Sequence, residues 1–127
     1  MKKVLLIDDS RTARSLLKRI FIELGDWDIV EAANGQEALD QLKKLDFIDL
    51  ACIDWNMPVM NGIEFITEAK KMAHMRSAWL MMVTTETEMS NMHKAMVAGA
   101  NEYVMKPFTK EVILSKLDMM GLSSSLE

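Results

Sequence analysis

The sequence predicts an α/β protein in which five parallel strands form one sheet with helices on both faces. Short apolar runs alternate with longer helix-type segments five times along the 127 residues. The first, third and fourth runs are almost continuously apolar, which is typical of parallel strands buried on both faces. Because alternating strands and helices imply right-handed βαβ crossovers, we expect a doubly wound, flavodoxin-like (βα)5 three-layer sandwich with strand order 2-1-3-4-5.

The apolar runs define the predicted strands, and the intervals between them carry helical patterns. We predict strands at 4–7, 28–32, 48–53, 79–83 and 102–105. The first helix is expected to span 11–24, because its apolar stripe stops at Gly25 and glycine commonly follows a helix C-terminus. The fourth helix is expected to run from about 87 to 98.

Capping residues and apolar stripes mark the remaining helices. Asn34, Asn61 and Thr109 are the expected N-caps of the second, third and fifth helices. The side chains expected to face the core are Leu16, Leu17, Ile20, Phe21 and Leu24 in the first helix, Ala38, Leu39 and Leu42 in the second, Ile63, Ile66 and Ala69 in the third, and Val112, Ile113 and Leu117 in the fifth.

Length and composition favour a single domain and argue against nucleic-acid and membrane roles. We assign residues 1–122 to one domain and 123–127 to a flexible tail. Nineteen acidic against fifteen basic residues give a net charge of −4, whereas nucleic-acid affinity comes mainly from clustered Lys and Arg. The apolar runs are too short for a signal peptide or a membrane span, and Cys52 is the only cysteine. We therefore expect a cytoplasmic monomer without an internal disulfide.

Polar side chains follow the apolar runs at the edge of the sheet where parallel strands end together. Asp8 and Asp9 follow the first run and Asp54 follows the third, while Thr84 and Lys106 follow the fourth and fifth. Ligands of open α/β sheets bind outside this edge. Each residue alone has an ordinary explanation, such as a helix cap, a turn residue or a surface lysine. None of these explanations accounts for the clustering of the acids.

Three carboxylates at one edge would repel one another. Two carboxylates ~4 Å apart repel by about 4 kcal/mol at an effective dielectric constant of ~20, and one lysine cannot neutralise three of them. Mg²⁺ suits a site made of carboxylates, water and phosphate, and a carboxylate can accept a phosphoryl group. Because Asp54 ends the central strand, between the Asp8–Asp9 pair and Thr84, we predict that Asp54 is the phosphoacceptor and that the paired acids bind the metal.

These motifs resemble the receiver domain of bacterial two-component response regulators over residues 3–120. The matching motifs are Asp8-Asp9, Asp54 with Met57-Pro58, Met60 and Gly62, then Thr84, and Lys106-Pro107-Phe108. Within the family the chain is most similar to the stand-alone chemotaxis regulators. The resemblance implies a signalling protein, not an enzyme, that takes a phosphoryl group from a sensor histidine kinase of the chemotaxis type. It also implies autophosphorylation from small donors, autodephosphorylation and a possible phosphatase partner.

The resemblance also implies roles for individual residues of the site. Asp9 resembles a direct Mg²⁺ ligand, Asp8 a ligand acting through water, and Asn56 a ligand through its backbone carbonyl. Lys106 would contact the phosphoryl oxygen, and the peptide between Lys106 and Pro107 would be cis.

The resemblance further implies a conformational switch and a partner face. Thr84 and Tyr103 resemble a switch pair, in which the threonine hydroxyl moves toward the phosphoryl group and the aromatic ring fills the vacated space. The resemblance implies that the flagellar motor switch protein binds a face of the fourth helix, fifth strand and fifth helix. That face would comprise Met89, Met92, Met96, Tyr103, Lys116 and Met119.

Two features near the site are expected to affect the rates of phosphorylation and dephosphorylation. Thr85 stands where the family usually has a small residue, so we expect it to restrict phosphodonor access. Asn56 and Glu86 are expected to flank the approach of the hydrolytic water.

A phosphate sink or a phosphorelay shuttle would need the same active site and remains an alternative function. A flavodoxin-type cofactor protein and a dehalogenase-like phosphatase are weaker alternatives, because their loops require other residues after the first strand.

Overall fold

The computed structural model describes residues 1–123 and contains a five-stranded parallel sheet with strand order 2-1-3-4-5. The strands are β1 (Lys2–Ile7), β2 (Trp27–Ala32), β3 (Leu50–Ile53), β4 (Trp79–Thr84) and β5 (Glu102–Met105). The helices are α1 (Arg11–Leu24), α2 (Gly35–Leu42), α3 (Gly62–Ala69), α4 (Met89–Ala98) and α5 (Lys110–Met119), with a short 3-10 turn at Ala73–Met75. The predicted fold class is confirmed.

Each face of the sheet has its own hydrophobic core. Leu5 and Ile7 of β1 point into a core shared with α2, α3 and Ala95 of α4. Val4 and Leu6 alternate with them and enter a second core with α1 and α5. Because both faces are covered, the central strands carry continuous apolar runs, as expected for a parallel sheet.

Parallel hydrogen bonding continues past the strand ends and carries the site residues to one edge. The Asp54 N–H donates to the Ile7 carbonyl at 3.0 Å, and the Asp8 N–H donates to the Ala32 carbonyl at 3.1 Å. On the other side, the Lys106 N–H donates to the Thr84 carbonyl at 2.9 Å. The sheet itself therefore fixes the backbone of the residues that follow β1, β3 and β5.

Several details of the sequence prediction were wrong. Leu16 and Val112 are exposed, because the α1 core face consists of Ala13, Leu17, Ile20 and Phe21 and the α5 core face is centred on Ile113 and Leu117. Helix α4 begins at Met89 and not at 87, and β3 is shorter than predicted.

The predicted tail, 123–127, lies outside the described residues except for Ser123. Among residues 1–123, no helix is long and apolar enough to cross a membrane.

Candidate functional site

Asp8, Asp9 and Asp54 form an acidic cluster at the carboxyl edge of the sheet. A carboxylate oxygen from each of the three lies within 4.8 Å of the others. Asp8 and Asp54 are buried, whereas Asp9 is exposed. The Ser10 N–H donates to the Asp8 carboxylate at 2.9 Å while the Ser10 side chain caps α1, so the start of the helix helps to orient the first acid.

Lys106 reaches into this cluster from the end of β5. Its Nζ lies 2.6 Å from Asp8 Oδ2 and 3.4 Å from Asp54 Oδ2. The Lys106–Pro107 peptide is cis. The Lys106 side chain is only 18% exposed, so solvent screens its charge from the two carboxylates less than it would at the surface.

Burial and mutual repulsion shift the titration of the site. Burial raises the pKa of Asp54, and the negative charge of Asp8 raises it further. The Thr84 hydroxyl, the charge of Lys106 and the backbone N–H of Trp55 act in the opposite direction but offset only part of the rise. Burial alone would lower the pKa of Lys106, but its bonds to Asp8 and Asp54 raise that pKa above its usual value.

The cluster has the donor set of a divalent-cation site. Its three carboxylates offer hard oxygen ligands, and the positive charge of Lys106 compensates only one of them. Burial and, after it, the negative charge of Asp8 raise the pKa of Asp54, and a bound cation would favour its ionised form. These residues therefore fit an oxygen-liganded metal ion, which could bind at this edge of the sheet.

A close approach of the backbone shapes the loop that follows Asp54. A Cβ atom at Gly62 would lie 2.3 Å from the Asp54 carbonyl oxygen, so only glycine fits there. The Gly62 N–H donates to the Trp55 carbonyl at 2.9 Å, and Asn61 caps α3 in a capping box with Glu64. The sequence motif contains this glycine, but its steric role appears only in the structure.

Thr84 and Tyr103 meet at the backbone of Glu86. Thr84 is fully buried at the end of β4, and its hydroxyl accepts a hydrogen bond from the Glu86 N–H at 3.3 Å. The Tyr103 hydroxyl donates to the Glu86 carbonyl at 2.8 Å. The predicted switch pair is therefore joined through one residue of the loop between β4 and α4.

The Glu86 side chain joins two further segments. Asn56 Nδ2 donates to one carboxylate oxygen at 3.1 Å, and Asn91 Nδ2 donates to the other at 2.7 Å. From the sequence we assign Asn91 no role in the site, and its contact with Glu86 is seen only in the structure. The available signal was an amide in the first turn of α4, close to a loop acid.

The residues of the predicted partner face differ in exposure. Met89, Met96 and Met119 are exposed, whereas Met92 and Tyr103 are half-buried. Ala95 is the buried residue of α4, and two of its three methionines, Met89 and Met96, lie on the exposed side of the helix. Lys116 of α5 forms an ion pair with Glu102 of β5 at 2.8 Å.

Thr85 lines an open pocket of about 410 Å³ beside the acidic cluster. The pocket is lined by Ser10, Thr12, Ala13, Leu16, Thr85, Lys106, Pro107 and Phe108. Thr85 and Lys106 both belong to its wall. A molecule that reaches Lys106 through this pocket must therefore pass Thr85.

Comparisons with known proteins agree on one family. The family model described as the response regulator receiver domain matches residues 4–118. The chain is 39% identical over 123 residues to a chemotaxis protein CheY homolog of Campylobacter jejuni, covering 96% of this chain and 95% of that protein. It is 35% identical over 118 residues to chemotaxis protein CheY1 of Helicobacter pylori, covering 93% and 95%. The solved structure of the chemotaxis response regulator CheY4 of Vibrio cholerae matches with a TM-score of 0.87 and 32% identity, covering 94% and 98%.

Proposed function

The chain belongs to the response regulator receiver domain family, with CheY-like chemotaxis proteins among its relatives, and we propose that it is a signalling protein phosphorylated on Asp54. The observation that carries this proposal is the acidic cluster with Lys106 bound to two of its carboxylates. The donor would be a sensor histidine kinase, and in this role the protein would act in the cytoplasm.

In the proposed reaction Asp54 is the nucleophile. Its carboxylate oxygen forms a bond to phosphorus while the bond from phosphorus to the donor nitrogen breaks, and the donor histidine leaves with the electron pair. We propose that Asp8, Asp9, Asp54 and the Asn56 carbonyl hold Mg²⁺, which when bound would neutralise charge on the transferring group. Lys106 already lies 3.4 Å from the Asp54 carboxylate, where its ammonium can bind a phosphoryl oxygen.

Thr84 and Tyr103 would carry the change from the site to the surface. The buried Thr84 hydroxyl lies close enough to Asp54 to lower the pKa of its carboxyl, so this hydroxyl can donate to a phosphoryl oxygen placed there. The same hydroxyl accepts from the Glu86 N–H, and Glu86 is bound by Tyr103. A shift of Thr84 therefore acts on the segment that anchors the aromatic ring.

The output of this switch would be the exposed face of α4, β5 and α5. Met89, Met96 and Met119 are exposed there, and flexible methionine side chains suit a surface that packs against partner helices. The chemotaxis relatives favour the flagellar motor switch protein as the partner. A phosphate sink or phosphorelay shuttle remains the second candidate, because it needs the same site and no output partner.

Two measurements test these assignments. Incubation with Mg²⁺ and acetyl phosphate, followed by intact mass, should show one added phosphoryl group in the wild type and none in Asp54→Asn. Labelling of Asp54→Asn would exclude this acceptor. Binding of a motor-switch peptide, compared before and after phosphorylation, should strengthen on phosphorylation if the protein controls the motor and stay absent if it is a sink.

A further inference from the structure

The side chains of Asn56, Glu86 and Asn91 form a polar bridge beside the acidic site. Asn56 lies two residues after Asp54 in the loop that follows β3, and Glu86 lies in the loop that follows β4. Asn91 belongs to the first turn of α4. With hydrogen bonds of 3.1 Å from Asn56 and 2.7 Å from Asn91, the two oxygens of the Glu86 carboxylate join these three segments.

The backbone of Glu86 is also fixed on both sides. Its N–H donates to Thr84 Oγ1 at 3.3 Å, and its carbonyl accepts from the Tyr103 hydroxyl at 2.8 Å. Because backbone and carboxylate are both held, the side chain cannot turn away from Asn56 without breaking the bond to Asn91. The orientation of Glu86 at the rim of the site therefore depends on a residue of the neighbouring helix.

We propose that Asn91 is a positioning residue that prolongs the lifetime of phosphorylated Asp54 by holding Glu86 against Asn56. This inference rests on the proposed phosphorylation of Asp54. Hydrolysis requires a water oxygen to attack phosphorus while the bond from phosphorus to the Asp54 oxygen breaks. The carboxylate is regained, and inorganic phosphate leaves with the hydroxyl of the water while the second proton passes to solvent.

The bridge acts on this step because the bond between Asn56 and Glu86 spans the two loops that follow Asp54 and Thr84. While the bond is closed, both side chains stand at the rim and narrow the approach of water. Asn91 donates a hydrogen bond to the other oxygen of the Glu86 carboxylate. Loss of this bond would free the Glu86 side chain to rotate and would open the rim of the site. Since Asn91 belongs to α4, its bond to Glu86 links this helix to the lifetime of phosphorylated Asp54.

The sharpest test is Asn91→Asp, which keeps the size of the side chain but cannot donate to Glu86. An acid in the first turn of α4 also favours the helix, so a loss of helix does not accompany the change. After loading with Mg²⁺ and acetyl phosphate and removal of the donor, intact mass should show dephosphorylation about two- to tenfold faster than in the wild type, the range expected from one lost hydrogen bond. The control Ser90→Asp adds the same charge one residue away and should leave the rate unchanged.

A reversed pair distinguishes positioning from a general structural effect. In the double variant Glu86→Gln with Asn91→Asp, the new amide can donate to the new carboxylate while its oxygen still accepts from Asn56. Its lifetime should return to within about twofold of the wild type, since the number of hydrogen bonds is restored. An unchanged or longer lifetime in Asn91→Asp, or no recovery in the double variant, would overturn this inference alone. A wild type that takes up no phosphoryl group would overturn the proposed function and this inference with it.

Discussion

Lys106 Nζ lies 2.6 Å from Asp8 Oδ2 but 3.4 Å from Asp54 Oδ2. The cation of the site is therefore bound more closely to Asp8 than to the proposed acceptor. Burial and the charge of Asp8 consequently keep the pKa of Asp54 raised in spite of Lys106. Because Lys106 neutralises the negative charge of Asp54 only in part, ionised Asp54 lowers the stability of the fold. A bound metal ion would supply the missing positive charge.

Asp54→Asn should stabilise the metal-free protein at pH 7 by about 1 kcal/mol, because it removes a buried, repelled charge. The folded-state pKa of Asp54 lies above its unfolded value of 3.8, so the wild type loses stability as pH rises from the unfolded value through the folded one. Below the unfolded value the advantage of the variant should vanish. Urea unfolding at several pH values checks this, with the exposed loop change Asp46→Asn as the control. Equal stability of Asp54→Asn and wild type at pH 7 would contradict it.

Mg²⁺ should raise the thermal unfolding temperature of the wild type, because a ligand that binds only the folded state stabilises it. Asp9→Asn should reduce the Mg²⁺ affinity, and with it this stabilisation. The loss should be at least roughly 10–100-fold, which is typical when a residue that only orients a metal ligand is removed. Trp55, whose backbone N–H donates to the Asp54 carboxylate at 2.8 Å, allows the same titration by fluorescence. An Asp9→Asn protein with unchanged Mg²⁺ affinity would remove this residue from the ligand set.

Thr85→Ala should speed phosphorylation by acetyl phosphate about two- to fivefold, a barrier change of roughly 0.4–1 kcal/mol. Thr85 is exposed and shares the wall of the 410 Å³ pocket with Lys106, so a smaller side chain widens the route to the site. The rate of phosphorylation is measured with acetyl phosphate as the single donor at a fixed Mg²⁺ concentration. Thr87→Ala changes an exposed threonine outside that wall and should have no effect; equal rates for both variants would exclude a steric role of Thr85.

Tyr103 is the only tyrosine, so its ionisation can be followed directly by ultraviolet absorbance. Burial raises its pKa above the usual 10.0, and the charges of Glu86 and Asp54 add to the rise. Because the folded-state pKa is the higher one, stability should fall as pH rises through 10 toward that value. Glu86→Gln should lower the pKa of Tyr103 by removing a negative charge, and an unchanged titration curve would show that this charge does not reach the phenol.

Val59→Asn should raise the free energy of unfolding by about 1 kcal/mol. Val59 is a β-branched residue with φ of 71°, and the Met60 N–H closes a tight turn onto the Pro58 carbonyl at 2.7 Å. Its side chain is exposed, so little packing is lost, whereas asparagine adopts a positive φ more readily than a β-branched residue does. Val59→Thr keeps the branched side chain and should not stabilise the protein. Equal gains from both variants would show that the gain comes from replacing an exposed apolar side chain by a polar one and not from relief of backbone strain.

The fold was predictable because its signals are local and agree with one another. The run 4–7 is apolar throughout because β1 is covered on both faces, and caps such as Asn34 and Asn61 bond where their sequence positions suggest. Leu16 was misplaced because an apolar stripe alone does not show how wide the buried face of α1 is. The start of α4 was missed because its N-cap, Glu88, makes no side-chain capping bond that a sequence signal could announce.

The site was predictable as far as strand ends determine it. Asp8, Asp54 and Lys106 could be placed at one edge from strand order alone, since parallel strands end on the same side. The bond between Glu86 and Asn91 was not predictable, because it depends on the path of the loop between β4 and α4. Helical periodicity describes neighbours within a helix and gives no information about a contact that reaches back into a loop.

The most direct test of the account is to locate the phosphoryl group after treatment with acetyl phosphate in the presence and absence of Mg²⁺. Fragment mass mapping of the labelled protein should place a single phosphoryl group on Asp54, and labelling should depend on Mg²⁺ and fail in excess chelator. A label on Asp8 or Asp9, or undiminished labelling of Asp54 in chelator, would contradict the assignment of one acceptor and a metal-binding acid pair.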